Sequence, residues 1–167
     1  DLDYSVIDEL PPGRQPINTL HRSESARPQV MDFVKEEIAK GRQAYIVYPL
    51  IEESSKMDYE NLMKGFEEVK SFFPEPKYWI SMVHGKQPAE QKETNMQRFV
   101  KADTQIMVST TVIEVGVNVP NASVMVIESA EKFGLSQLHQ LRGRVGRGAE
   151  KSFCILLTGP KVSNDAR

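Results

Sequence analysis

A chain of 167 residues has room for a single domain with a sizeable core, and 40% hydrophobic against 26% charged residues is the balance of an ordinary α/β protein. That balance excludes a disordered or fibrous chain, and the formal net charge of −2 excludes nucleic-acid binding by bulk charge alone. Any phosphate contact must come from cations arranged locally.

In chain order, the opening DLDYSVIDEL starts without methionine, which points to a piece of a longer protein. SVIDEL (5–10) imitates a strand ending in the carboxylate pair Asp8–Glu9, as in a magnesium-binding motif. Only Val6 and Ile7 precede that pair, and prolines follow it in DELPPGRQP (8–16), so residues 1–16 read as a linker. INTLHR (17–22) alternates as a strand. RPQVMDFVKEEIAKG (27–41) predicts a helix with Pro28 in its first turn, one stripe of Val30, Phe33, Val34 and Ile38, and a stop at Gly41. QAYIVYPL (43–50) is a near-continuous apolar strand of the kind buried on both faces of a parallel sheet.

MDYENLMKGFEEVKSFF (57–73) has helical spacing at Leu62, Phe66, Val69 and Phe73, interrupted by Gly65. KYWISMVHG (77–85) predicts a strand running into a turn. PAEQKETNMQRFVK (88–101) predicts a polar helix with Pro88 in the first turn and Met96, Phe99 and Val100 facing inward. TQIMVST (104–110), ASVMVIE (122–128) and SFCILLT (152–158) are three further strands, and SQLHQLRGRV (136–145) predicts a helix capped by Ser136. The single cysteine, Cys154, excludes an internal disulfide, fits a reducing compartment and, in its apolar run, reads as a buried inert thiol. No apolar run approaches the roughly 18 residues of a membrane span.

Strands alternating with helices through short loops imply βαβ units, hence a doubly wound, mostly parallel α/β sheet with helices on both faces. Such sheets bind ligands beyond the carboxyl ends of their strands, which directs attention to the loops after Val83, Ser109 and Glu128. In VHGKQPAE (83–90), His84 and Gly85 lead into a helix, where free amides suit a phosphate; a plain strand-to-helix turn with a satisfied histidine fits as well. In VSTTVIEVGVNVPNA (108–122), a strand ends in Thr110 and Thr111. Hydroxyls and amides there can hold a phosphodiester backbone without reading bases, or the threonines can simply be strand formers. Gly116 permits close backbone approach, and Asn118 is a neutral hydrogen-bonding group.

QLHQLRGRVGRG (137–148) concentrates three arginines and three glycines. At about 100° per residue, Leu138, Leu141 and Val145 share one stripe, while Gln140, Arg144 and Arg147 fall on another. Guanidinium groups stay charged near neutral pH and grip phosphate oxygens bidentately, so a row of them beside a glutamine suits a transferring γ-phosphoryl group. A solvated basic face would not need Gly143, Gly146 and Gly148. The sequence contains no G-x-x-x-x-G-K-[ST] phosphate loop, so it has the composition of half a nucleotide site.

Together these segments resemble the second RecA-like motor domain of superfamily 2 helicases and translocases. ISMVHGKQPAEQKE (80–93) is similar to helicase motif IV and IMVSTTVIEVGVNVPNA (106–122) to motif V. QLHQLRGRVGRG is similar to motif VI, with its Q-x-x-G-R-x-G-R core running from Gln140 to Arg147. ELPPGRQPINT (9–19), YPLIEESSKMD (48–58) and ESAEKFGLSQLHQLRGRVGRG (128–148) are similar to the RecG type of branched-DNA helicase, and the likeness runs from Glu9 to about Leu157.

The resemblance implies a linker at 1–16, a RecA-like helicase C-terminal lobe at 17–158 and the start of a downstream segment at 159–167. It implies Arg147 as an arginine finger with Arg144 beside it, and Gln140 positioning the triphosphate or the attacking water. Gly116, Asn118 and Gly143 would face the nucleotide, while Thr110, Thr111, His84 and Gly85 would contact DNA. Many relatives carry aspartate at the position of Asn118, so here one charge is missing. The implied cofactor is ATP with Mg2+, whose metal ligands lie on a first motor domain outside this chain, with no metal site expected here. The implied partners are branched double-stranded DNA and the first RecA-like and wedge domains of the same parent chain, in the bacterial cytoplasm at the nucleoid, with no membrane. The implied function is an ATP-driven lobe that remodels stalled forks and Holliday junctions in recombination and repair, inactive as an ATPase alone. The alternatives are the equivalent lobe of a transcription-repair coupling translocase and a non-catalytic nucleic-acid-binding module of the same fold.

Overall fold

The apolar runs become strands whose faces are both covered. In a computed structural model, which describes residues 17–49, 55–110, 119–143, 145 and 151–159, the elements are β1 (Ile17–Ser23), α1 (Arg27–Ala39), β2 (Gln43–Val47), α2 (Ser55–Phe72), β3 (Ile80–Val83) and α3 (Ala89–Val100). They continue as β4 (Ile106–Ser109), β5 (Ala122–Ile127), α4 (Leu135–Arg142) and β6 (Ser152–Thr158). The six strands form one sheet in the order β1-β6-β5-β2-β4-β3, and every pairing is parallel. This is the doubly wound sheet that the alternation predicts.

Side chains alternate along each strand, so each central strand feeds two cores. Ala44, Ile46, Val108, Val124 and Val126 pack beneath Val30 and Val34 of α1 and Leu62 and Val69 of α2. Tyr45, Val47, Met107, Met125 and Ile127 face the other way, toward Phe99 of α3, Leu141 of α4 and Val145. Burying each such Leu, Ile or Val contributes about 1.5–3 kcal/mol.

Element ends differ from the sequence expectation where local chemistry intervenes. Gly41 stops α1 as expected, at φ +92°, a left-handed conformation that a side chain would oppose. β2 stops at Val47 because Pro49 has no amide for the ladder. β3 starts only at Ile80, since the Trp79 amide bonds the Gln105 side chain at 2.8 Å instead. Pro88 precedes α3 as its N-cap rather than sitting in its first turn, and α4 is capped by Gly134, not Ser136. Val100 corrects the inward stripe of α3: it is 41% exposed, because one residue beyond the buried Phe99 the helix has turned by about 100°.

Gly65, which weakens the case for a helix in sequence, is required by packing. A methyl group built there would lie within 2.6 Å of the Tyr48 hydroxyl oxygen and overlap its ring. Alanine gains about 1 kcal/mol of helix propensity over glycine, but the overlap costs about 1–3 kcal/mol. Gly65→Ala is therefore expected to destabilise the domain in denaturant unfolding, and to stabilise it by up to about 1 kcal/mol in a Tyr48→Ala background; destabilisation of equal size in both backgrounds would contradict the contact. Cys154 is fully covered, and burial pushes its thiol up to about 12. In the folded domain it is expected to resist a thiol reagent at pH 8 and to react only after unfolding.

Candidate functional site

A sheet covered on both faces leaves its two ends for chemistry, and the expected residues divide between them. His84, Gly85 and Thr110 stand at the carboxyl end, directly after β3 and β4. α4 starts at that end but runs back across the sheet. Its last residue, Arg142, donates from Nε to Thr19 Oγ1 at 2.7 Å and from Nη2 to the Ile17 carbonyl at 3.3 Å, both at the start of β1. The arginine segment thus departs from the amino end, a correction to the expectation that all the loops of interest meet at the carboxyl ends. Arg142 is fixed to the edge strand and is a structural arginine.

The turn after β3 is largely self-satisfied. The His84 amide donates to Gln87 Oε1 at 3.1 Å, the Lys86 amide donates to His84 Nδ1 at 3.2 Å, and the Gln87 amide bonds the His84 carbonyl at 3.2 Å. Gln87 and Asn95 both donate to the Met82 carbonyl, at 3.0 and 2.9 Å. His84 is buried, and its ring meets Tyr59 edge-on at 5.3 Å. Gly85 is exposed and lies ahead of the Pro88 cap rather than opening the helix. With these amides engaged, a phosphate cradle at this turn is reduced to Gly85 and the exposed Lys86, whose ammonium lies 5.9 Å from the Tyr59 ring centre.

Thr110 is 95% covered (5% exposed) at the end of β4. Beside it, the Ser109 hydroxyl is fully buried and has no hydrogen-bond partner among the described residues. A buried hydroxyl normally finds an acceptor or donor, so this strand end holds unused hydrogen-bonding capacity. Thr111, Gly116 and Asn118 lie outside the described residues.

On α4 the stripe behaves as its spacing predicts: Leu141 and Val145 are buried, Leu138 packs against the same core, and Gln140 is exposed on another face. The Gln137 side chain accepts from the Gly134 amide at 2.9 Å, fixing the helix start, and Gly143 caps its end in a right-handed conformation. Arg144 and Arg147 lie outside the described residues.

Sequence reasoning missed an ion-pair cluster at the carboxyl end. Arg27, the first residue of α1, grips Glu128, the residue after β5, with both arms of its fork: Nε to Oε2 at 3.0 Å and Nη2 to Oε1 at 2.5 Å. Glu68 of α2 lies 3.7 Å from the same guanidinium and Glu24 lies 3.9 Å away. The Glu128 hydrogen bond holds Arg27 even more firmly charged than usual, while burial, followed by the charges of Glu128 and Glu68, raises the Tyr48 phenol. Immediately after Glu128, Ser129 is left-handed at φ +50°, ψ +50°, which costs about 1–2 kcal/mol. Arg27 and Glu128 are 101 residues apart, so no local pattern announces their pairing.

A cavity of about 300 Å³ between the end of α2 and the start of β3, lined by Phe66, Lys70 and Tyr78 among others, lies at the opposite end of the sheet from His84 and Thr110. Among the described residues no group of three or more His, Cys, Asp or Glu could hold a metal ion, and no helix is long and apolar enough to cross a membrane.

Comparison with known proteins fits this geometry. The helicase conserved C-terminal domain family matches residues 28–149. ATP-dependent DNA helicase RecG of Synechocystis sp. is 54% identical over 170 residues, covering 100% of this chain and 20% of its own length. RecG of Bacillus subtilis is 50% identical over 161 residues, covering 96% of this chain and 24% of its own. The structure of RecG bound to a three-way DNA junction superposes with a TM-score of 0.73 at 41% identity, over 91% of this chain and 19% of that one. Domain 2 of the DEAD-box helicase Mss116p bound to an RNA duplex shares the fold, with a TM-score of 0.62 at 18% identity over 85% of this chain and 53% of that one. The chain spans about a fifth to a quarter of the length of these RecG relatives. The matched residues run from the first turn of α1 through the arginine segment and take in the strand ends described above, so this chain belongs to the helicase conserved C-terminal domain family.

Proposed function

We propose that the chain is the second motor lobe of a RecG-type, ATP-dependent DNA helicase that remodels branched DNA in recombination and repair. The observation that carries this reading is α4 itself: its Leu138–Leu141 stripe is turned into the core, and Gln140 is left on an exposed face that the sequence spacing extends to Arg144 and Arg147. The likeness to RecG proteins over the whole chain supports it.

In this reading the nucleotide is held mainly by the first motor domain of the parent chain, because this sequence has no phosphate loop. Arg147 approaches the γ-phosphate across the interdomain cleft as the arginine finger, with Arg144 beside it, and both guanidinium groups stabilise the charge on the transferring phosphoryl. Gln140 orients the triphosphate or the attacking water, while Gly116, Asn118 and Gly143 face the nucleotide. Bound magnesium would neutralise phosphate charge, and its ligands belong to the other motor domain. At the carboxyl end Thr110 and Thr111, with the His84–Gly85 turn, hold the DNA backbone without reading sequence. The lobe extends over 17–158, with the linker before it and a coupling segment after it. Its partners are branched double-stranded DNA and the first motor and wedge domains, and its place is the bacterial cytoplasm at the nucleoid.

Replacing Arg147 by alanine in the parent protein is expected to lower DNA-stimulated ATP turnover on the order of 10³-fold while changing nucleotide affinity only a few-fold. Turnover close to wild type would remove the finger assignment and favour a non-catalytic binding module.

A further inference from the structure

α4 has to be aimed as well as formed, because it carries Gln140 and leads directly into Arg144 and Arg147. The route into it is unusual. β5 delivers Glu128 to the side of the sheet covered by α1 and α2, where Arg27 takes both carboxylate oxygens. The chain then reverses through the left-handed Ser129 and places Ala130 in the core on the other side, the one α4 covers. The short 3₁₀ turn that follows, Ala130–Lys132, is tied to the end of β6 by the Gly159 amide, which donates to Glu131 Oε1 at 3.3 Å. Gln137 then fixes the first turn of α4 on Gly134. Left-handed backbone in a serine persists only where its surroundings impose it, and Ser129 is flanked by the Arg27 fork on the preceding residue and by the Lys132 amide, which donates to the Ser129 carbonyl at 2.9 Å.

We propose that the Arg27–Glu128 pair is a positioning device for the arginine segment: it fixes the residue before the reversal, and so sets where α4 begins and how it lies across the sheet. The idea rests on the motor-lobe reading above. Neither residue touches the nucleotide; each acts through α4. Arginine is suited to the task because its planar fork fixes both distance and orientation, which a lysine ammonium at the same site would not.

The test uses the full-length parent protein, with steady-state DNA-stimulated ATP turnover and hydrogen exchange measured on the same samples. Glu128→Gln keeps the shape and loses the charge. The expected result is about a tenfold fall in kcat with KM for ATP changed less than twofold, together with faster amide exchange confined to residues 129–142. Adding Ser129→Gly, which accepts the left-handed turn without help, is expected to restore at least a third of the lost kcat. Arg27→Lys is the milder second variant should Glu128→Gln fold poorly, and the same kcat-only loss is expected of it. A folded Glu128→Gln or Arg27→Lys protein with kcat within twofold of wild type would overturn the proposal, as would a uniform loss of exchange protection across the domain. Arg147→Ala is measured alongside: if it loses turnover and Glu128→Gln does not, the positioning idea fails alone, and if Arg147→Ala turns over normally, the finger reading fails first.

Discussion

Burial of the sheet on both faces is the constraint from which the rest of the domain follows. β2, β4 and β5 are covered along their whole length, and apolar side chains fill the space above and below them. No polar chemistry can be placed on those faces without a desolvation cost, so hydrogen-bonding and charged groups collect at the strand ends. His84, Thr110 and Glu128 stand at one end, while Gln43, Asn121 and Arg142 stand at the other. The separation of these two sets of polar groups is then a matter of topology, with α4 spanning the distance between them.

The cations of the molecule illustrate how little a residue count says about a site. Three arginines crowd residues 142–147, yet Arg142 is committed to Thr19 and the Ile17 carbonyl. A fourth, Arg27, is committed to Glu128, with Glu68 and Glu24 around it. Of these four, the two with described contacts are both engaged inside the domain: Arg142 ties the end of α4 to β1, and Arg27 ties the start of α1 to the residue after β5.

The fold was legible because its signals are local. Runs such as QAYIV and SFCILLT declare buried strands by composition. The spacing of Leu138, Leu141 and Val145 declares the inner face of α4, and Gly41 marks the end of α1. What escaped depends on partners distant in sequence. Gly65 reads as a weak point until Tyr48 is seen against it. His84 reads as open until Gln87 closes the turn from three residues on. The Arg27–Glu128 pair joins residues with nothing in common locally. Of the site, Gln140, Gly143, Thr110, His84 and Gly85 have places in the structure, whereas Arg144, Arg147, Gly116, Asn118 and Thr111 rest on motif spacing alone.

The pairing of β1 with β6 carries a consequence for synthesis. Ile17 aligns with Ser152 and Ser23 with Thr158, so, among the described residues, the first strand pairs only with the last one, β6. On the ribosome, β2 can meet β4 and β5 while later residues are still being added, but β1 must wait with its ladder groups unsatisfied until β6 emerges. Contacts of such long sequence separation form late and slowly. Arg142 reaches back to Thr19 and Ile17 from just before β6, so the helix leading into the arginine segment gains its second anchor only as the nascent strand is captured. The β1–β6 edge of the lobe is therefore the part that assembles last.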